Sequence, residues 1–219
     1  MRDGDRDGRD LISRTGRSKR RLFGIDRSGP PPEPTLSGRP LNPWTIPNAI
    51  GYVRLAAIPA FLVLGLSSRD GHDTLAVVLF ATIGWADYLD GFAARLTGQY
   101  SRLGALLDPL IDRLLIISGM VVAWRFDLLP RWAIAVVFAR EVLMLVLSRL
   151  ALRRGLELRI NWPGRIGVAP AMGAPFFAIA EAHGVALGML YAGLILGWLA
   201  TVLYVVNGVA QLRFSQASS

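Results

Sequence analysis

"WADYLDGFAARLTGQYSRLGALLDPLIDRLLII", residues 85–117, sets four aspartates, Asp87, Asp90, Asp108 and Asp112, among long apolar runs. An ionised carboxylate in hydrocarbon is costly, so one found there has a partner or a purpose. The pattern decides the fold because it asks for two helices. At 100° per residue, Asp87, Asp90, Gly91, Ala94 and Arg95 fall within an arc of roughly 140° on one face. Gly104, Asp108 and Asp112, spaced four apart, form a stripe about 80° wide on the next helix. The connection between them is short, so the two are expected to be antiparallel neighbours with their aspartates at one depth.

Working outward, six apolar spans emerge at about 47–66, 74–97, 103–124, 130–153, 163–182 and 187–211, each near the roughly 20 residues a bilayer requires. The chain is 53% hydrophobic and 18% charged, with a mean hydropathy of +0.41, which favours an all-α polytopic membrane protein of six transmembrane helices. Residues 1–43 differ: basic, Pro-rich and poor in apolar residues, they read as a disordered cytoplasmic tail. No apolar run follows Met1 as a signal peptide would need. The membrane domain is therefore placed at 44–213, with a short tail at 214–219.

The net charge of +8 in a soluble protein would suggest nucleic acid; here it is read as positive-inside bias, and no nucleic-acid partner is expected. With an inside N-terminus, the inner connections hold Arg102, Arg149, Arg153, Arg154, Arg159, Arg165 and Arg213. The outer ones hold Arg69, Arg125 and Arg131. That asymmetry predicts both termini in the cytoplasm and the aspartate-flanked turn facing it. The absence of cysteine excludes thiolate chemistry. His72 and His183, both expected in short loops, argue against a histidine metal site.

Four converging carboxylates would repel one another unless they took up protons or divalent cations. All-oxygen ligands suit Mg²⁺ or Mn²⁺. A pair of such ions is a known device for displacement at phosphorus. Gly91, Ala94 and Gly104 leave room for a ligand, although small residues also serve ordinary helix packing. Arg95 can pair with a diphosphate.

The pattern Asp87-x-x-Asp90-Gly91-x-x-Ala94-Arg95, followed after eight residues by Gly104-x-x-x-Asp108-x-x-x-Asp112, resembles the signature of the CDP-alcohol phosphatidyltransferases. The resemblance implies a six-helix enzyme of phospholipid biosynthesis, usually a homodimer, in the cell membrane with its active site facing the cytoplasm. It implies transfer of a phosphatidyl group from CDP-diacylglycerol to an alcohol with release of CMP. By position, Asp87, Asp90, Asp108 and Asp112 would hold two Mg²⁺ or Mn²⁺ ions, and Asp112 would be the general base. Asp87, Gly91, Ala94, Arg95 and Gly104 would hold the cytidine diphosphate.

Pro109 and "WTIPNAIGYVRLAAIPAF", with Asn48 and Arg54, resemble the phosphatidylglycerophosphate synthase and cardiolipin synthase branches. Glycerol 3-phosphate is the expected acceptor, with phosphatidylglycerol the alternative. A phosphate-bearing acceptor would need a basic pocket, for which Arg140, Arg153 and Arg165 are candidates. Arg140 could instead pair with Glu141. The rival class is a cation or proton transporter using the acidic cluster; Arg95 beside that cluster argues against it.

Overall fold

The computed structural model describes the backbone of residues 40–153 and 162–217, and the side chains of 40–150 and 166–208. The N-terminal tail to residue 39, the last two residues and the side chains of Arg153, Arg159, Arg165 and Arg213 lie outside the described residues.

Every regular element described is an α-helix: α1 Ile46–Ser67, α2 Thr74–Thr97, α3 Arg102–Arg125, α4 Arg131–Arg153, α5 Trp162–Ile179 and α6 His183–Ala217. The six apolar spans correspond to these six helices. Their ends shift where local chemistry intervenes. The fifth helix stops at Ile179, and Glu181 has a positive φ of 61° in the turn that follows. His183, expected in a loop, is the first residue of α6.

By length and composition, α1, α2 and the Gly208-terminated part of α6 can cross a membrane, and their apolar windows are only 22–28% buried. Their outward side chains are large and apolar, among them Val53, Trp85 and Ile195. In water such faces would be a liability; against lipid they are the expected solvent contact. α3 and α4 are less apolar because each carries charges along its length, in α3 the aspartates themselves.

The chain forms two compact units. One comprises the segment ending at Ile58 with Thr82–Arg113; the other comprises Pro59–Ala81 with the chain from Leu114 onward. The first unit is organised at helix ends. Thr45 caps α1, its hydroxyl accepting from the Asn48 amide at 3.3 Å. Ser101 caps α3, accepting from the Gly104 amide at 2.9 Å. Between α2 and α3 the chain reverses at Gly98, whose φ of +68° is the left-handed conformation that glycine adopts without strain. The Gln99 side-chain oxygen then accepts from the first amide of α1 at 3.0 Å.

The second unit has an apolar core built from Met120, Ala123, Leu129, Ala133, Ile134, Ala174, Ala178, Ala186 and Leu190. Small residues let the helices approach. A Cβ on Gly119 would sit 2.7 Å from the Pro175 Cβ and 2.8 Å from Phe80 Cε2, closer than carbon atoms tolerate. Phe61 packs edge-on against Phe80, centroids 5.2 Å apart. His72 meets the Ile179 carbonyl through Nδ1 at 3.0 Å and stacks on His183, which accounts for both histidines structurally.

Candidate active site

The centre of the first unit is a charge cluster assembled from three helices. α1 contributes Arg54, whose side chain is 1% exposed, so its guanidinium needs partners for every donor. Its Nη1 donates to Asp87 Oδ1 at 3.0 Å and to Asp90 Oδ2 at 2.8 Å; Nη2 donates to Asp112 Oδ1 at 3.1 Å. Nε donates to the Ile83 carbonyl at 3.0 Å. One planar fork thus ties two turns of α2 to α3, the geometry for which arginine is suited and lysine is not.

The carboxylates are graded in exposure. Asp90 is 6% exposed, Asp112 24% and Asp87 44%, so the cluster is dry on the Arg54 side and open on the other. Asp87, Asp90 and Asp108 each offer an oxygen within 4.8 Å of the others. Three hard oxygen donors at that separation fit a divalent cation of the Mg²⁺, Mn²⁺ or Ca²⁺ type. Asp112 is outside that trio, held to Arg54. The helix-face geometry expected from sequence therefore matches the observed convergence, with Asp112 joined through the arginine.

Beside the trio lies a cleft of about 170 Å³ lined by Asp90, Asp108, Gly91, Ala94, Arg95 and Gly104, together with Pro47, Asn48, Gly51, Gln99, Tyr100, Ser101, Ala105 and Leu107. The residues assigned to the nucleotide by position share this wall, except Asp87, which stands in the charge cluster. The Arg95 guanidinium folds back over Gly91, 3.3 Å from where a Cβ would be.

Gly104 has a reason of its own. A Cβ there would lie 2.8 Å from Asn48 Oδ1 and 3.1 Å from Ser101 Oγ. Asn48 is 1% exposed and holds three partners: Nδ2 donates to the Asn42 and Pro43 carbonyls, and Oδ1 accepts from Ser101 at 2.8 Å. The absent side chain at 104 makes space for this junction.

Arg140, an acceptor candidate, lies in the second unit. It is ion-paired with Glu141, and its Nε donates to Thr201 Oγ1 at 3.3 Å. The structural pairing weighed from sequence is thus present. Arg153 and Arg165 lie outside the described side chains.

Sequence reasoning missed the roles of Arg54, Asn48 and Ser101. A signal for Arg54 was available: an arginine in the middle of the first apolar span carries the same cost as the aspartates and implies the same kind of partner.

An all-helical membrane protein with an acidic, metal-competent cleft defines a narrow class of enzyme. The CDP-alcohol phosphatidyltransferase family description matches residues 44–206, and the chain belongs to that family, which is divalent-metal dependent. It is 39% identical over 177 residues to a CMP-forming cardiolipin synthase of Streptomyces coelicolor, covering 74% of this chain and 82% of that protein. To the CDP-diacylglycerol–glycerol-3-phosphate 3-phosphatidyltransferase of Bacillus subtilis it is 30% identical over 135 residues, 56% of this chain and 70% of that one. With the human CMP-forming cardiolipin synthase it shares 37% over 118 residues, 53% of this chain and 37% of that protein. The protein is a phosphatidyltransferase of phospholipid biosynthesis.

Proposed function

We propose that the chain transfers the phosphatidyl group of CDP-diacylglycerol to phosphatidylglycerol, forming cardiolipin and CMP. The observation that carries the transfer is the convergence of Asp87, Asp90 and Asp108 within 4.8 Å beside a glycine-walled cleft. In this reading Gly91, Ala94, Arg95 and Gly104 seat the cytidine diphosphate, and Arg95 balances its charge. Asp87, Asp90, Asp108 and Asp112 hold two Mg²⁺ or Mn²⁺ ions, which when bound neutralise the diphosphate and the departing CMP. Asp112 accepts the proton of the acceptor hydroxyl. The acceptor oxygen bonds to the lipid-linked phosphorus as the bond from that phosphorus to the CMP oxygen breaks.

The acceptor assignment draws on the extent of similarity to the Streptomyces protein. A second reading, transfer to glycerol 3-phosphate, is favoured by the Bacillus relative and is the acceptor expected from the sequence. The engagement of Arg140 with Glu141 and Thr201 weakens that arginine as a phosphate clamp, which tilts the choice toward the lipid acceptor. The wider frame is a homodimer in the cell membrane, a domain of 44–213 between two tails, and termini and cleft on the cytoplasmic side. The arginine asymmetry of the connections supports that orientation.

The test incubates purified protein with CDP-diacylglycerol, Mg²⁺ or Mn²⁺, and phosphatidylglycerol or glycerol 3-phosphate in separate reactions, reading CMP and lipid product. Cardiolipin from the first supports the proposal; phosphatidylglycerophosphate from the second moves the assignment to the other branch. No CMP with either, or CMP undiminished in EDTA, overturns it.

A further inference from the structure

We propose that Arg54 makes the two cation positions unequal, keeping the Asp112 side closed to a divalent ion until a cytidine diphosphate group enters the cleft. The inference rests on the phosphatidyltransferase reading and adds to it an order of loading.

The geometry divides the cluster. Asp87, Asp90 and Asp108 converge without Asp112. Arg54 engages only one oxygen of Asp87 and one of Asp90, so the second oxygen of each stays available to an ion while the arginine remains in place. Asp112 is different. It stands apart from the trio, and the guanidinium spans the interval, Nη1 on Asp87 and Asp90 and Nη2 on Asp112. An ion using Asp112 must bind the one oxygen that Nη2 leaves, away from the three converging carboxylates that would offset the fixed positive charge beside it. The charge is 1% exposed, so water screens it poorly, and a guanidinium does not shed its proton to relieve the conflict.

Formal charge gives the sign. Four carboxylates and one guanidinium carry a net −3. One divalent ion brings this to −1; a second would overshoot to +1 in a place of low dielectric. The diphosphate linkage of a CDP-lipid brings two negative charges and returns the loaded site to −1. The nucleotide therefore supplies the charge that the second ion needs, and the two enter together. Were position 54 neutral, the cluster would start at −4 and two ions would balance it unaided.

The experiment counts Mn²⁺ bound to the purified full-length protein by electron paramagnetic resonance, with and without CDP-diacylglycerol and with no acceptor present. Protein-free micelles correct for ions held by the nucleotide alone. Wild type is expected to bind one Mn²⁺ per chain without the nucleotide and two with it, the second ion tightening at least about tenfold. Arg54→Gln should take the second ion without nucleotide, while Arg54→Lys, which keeps the charge and loses the fork, should behave as wild type. Two equivalent ions in nucleotide-free wild type overturn the proposal, as does a single ion in both states or an Arg54→Gln variant with the wild-type pattern. If Arg54→Gln does not fold, the wild-type pair of measurements decides alone. Wild type that binds no Mn²⁺ in either state would instead remove the metal-dependent transferase reading beneath it.

Discussion

Arg54 and Phe61 lie seven residues apart on α1, about two helical turns, and both are fully buried. Their surroundings have little in common. Arg54, in the first unit, is enclosed by three carboxylates and a carbonyl; Phe61, in the second, rests on the edge of Phe80. The same helix thus serves a polar interior and an apolar one. The polar interior is held by directional bonds, three of which end on the carboxylates Asp87, Asp90 and Asp112. The apolar interior is held by shape, with glycine and alanine admitting neighbouring helices. Substitutions in the first unit should therefore be read in chemistry, and those in the second in stability.

The sharpest way to break that division is Asp112→Asn. It keeps size and a hydrogen-bonding oxygen for Arg54 but removes the proposed proton acceptor. CMP release should fall by about 10³-fold, while the thermal midpoint in detergent stays near wild type. A collapse of the fold would mean that the carboxylate is structural. Next is Gly119→Ala in the second unit. Its new methyl would strike Pro175 and Phe80, neither of which can swing away, for a loss of about 2 kcal/mol in unfolding free energy. Activity per folded molecule should be unchanged; a selective loss of turnover would erase the proposed contrast.

Gly104→Ala tests the first unit from another side. The methyl displaces Asn48 and Ser101 from the cleft wall, and kcat/KM for CDP-diacylglycerol should drop about tenfold. Adding Asn48→Ala should cost less than the two single losses combined, because both act on one junction. Full additivity would return Gly104 to a purely ligand-facing role. The smallest effect is expected from Thr201→Val, which deletes one bond to Arg140. A stability loss of about 1 kcal/mol without change in acceptor preference fits a structural Arg140. A switch in acceptor would place it in the site instead.

Much of this was legible in the sequence, for reasons that differ by residue. Apolar runs of bilayer length announce six helices because the backbone must satisfy itself in lipid. The aspartates stand out because charge is rare there, and their spacing gives their faces. What periodicity cannot give is the pairing of residues far apart along the chain. Arg54 meets Asp87 across 33 positions and Asp112 across 58, and that choice is made by packing. The cause of Gly104 was hidden likewise, since Asn48 reaches it from a different helix. The extension of α6 to Ala217 follows from good helix formers continuing past the apolar stretch, where hydropathy no longer marks the boundary.

The turn between α2 and α3 carries one more implication. Gln99 receives the first amide of α1, Ser101 receives an amide of α3 and reaches Asn48, and the Thr97 hydroxyl donates to the Ala93 carbonyl. The Gln99 amide donates in turn to Thr97 Oγ1 at 3.3 Å, so the end of α2 and the starts of α1 and α3 are tied through this turn, whose Gln99 and Ser101 line the cleft. On the proposed reading, a lipid-linked nucleotide settling there would meet a mould already set, so little of its binding energy would be spent on ordering the chain and more would remain to bias the reaction itself.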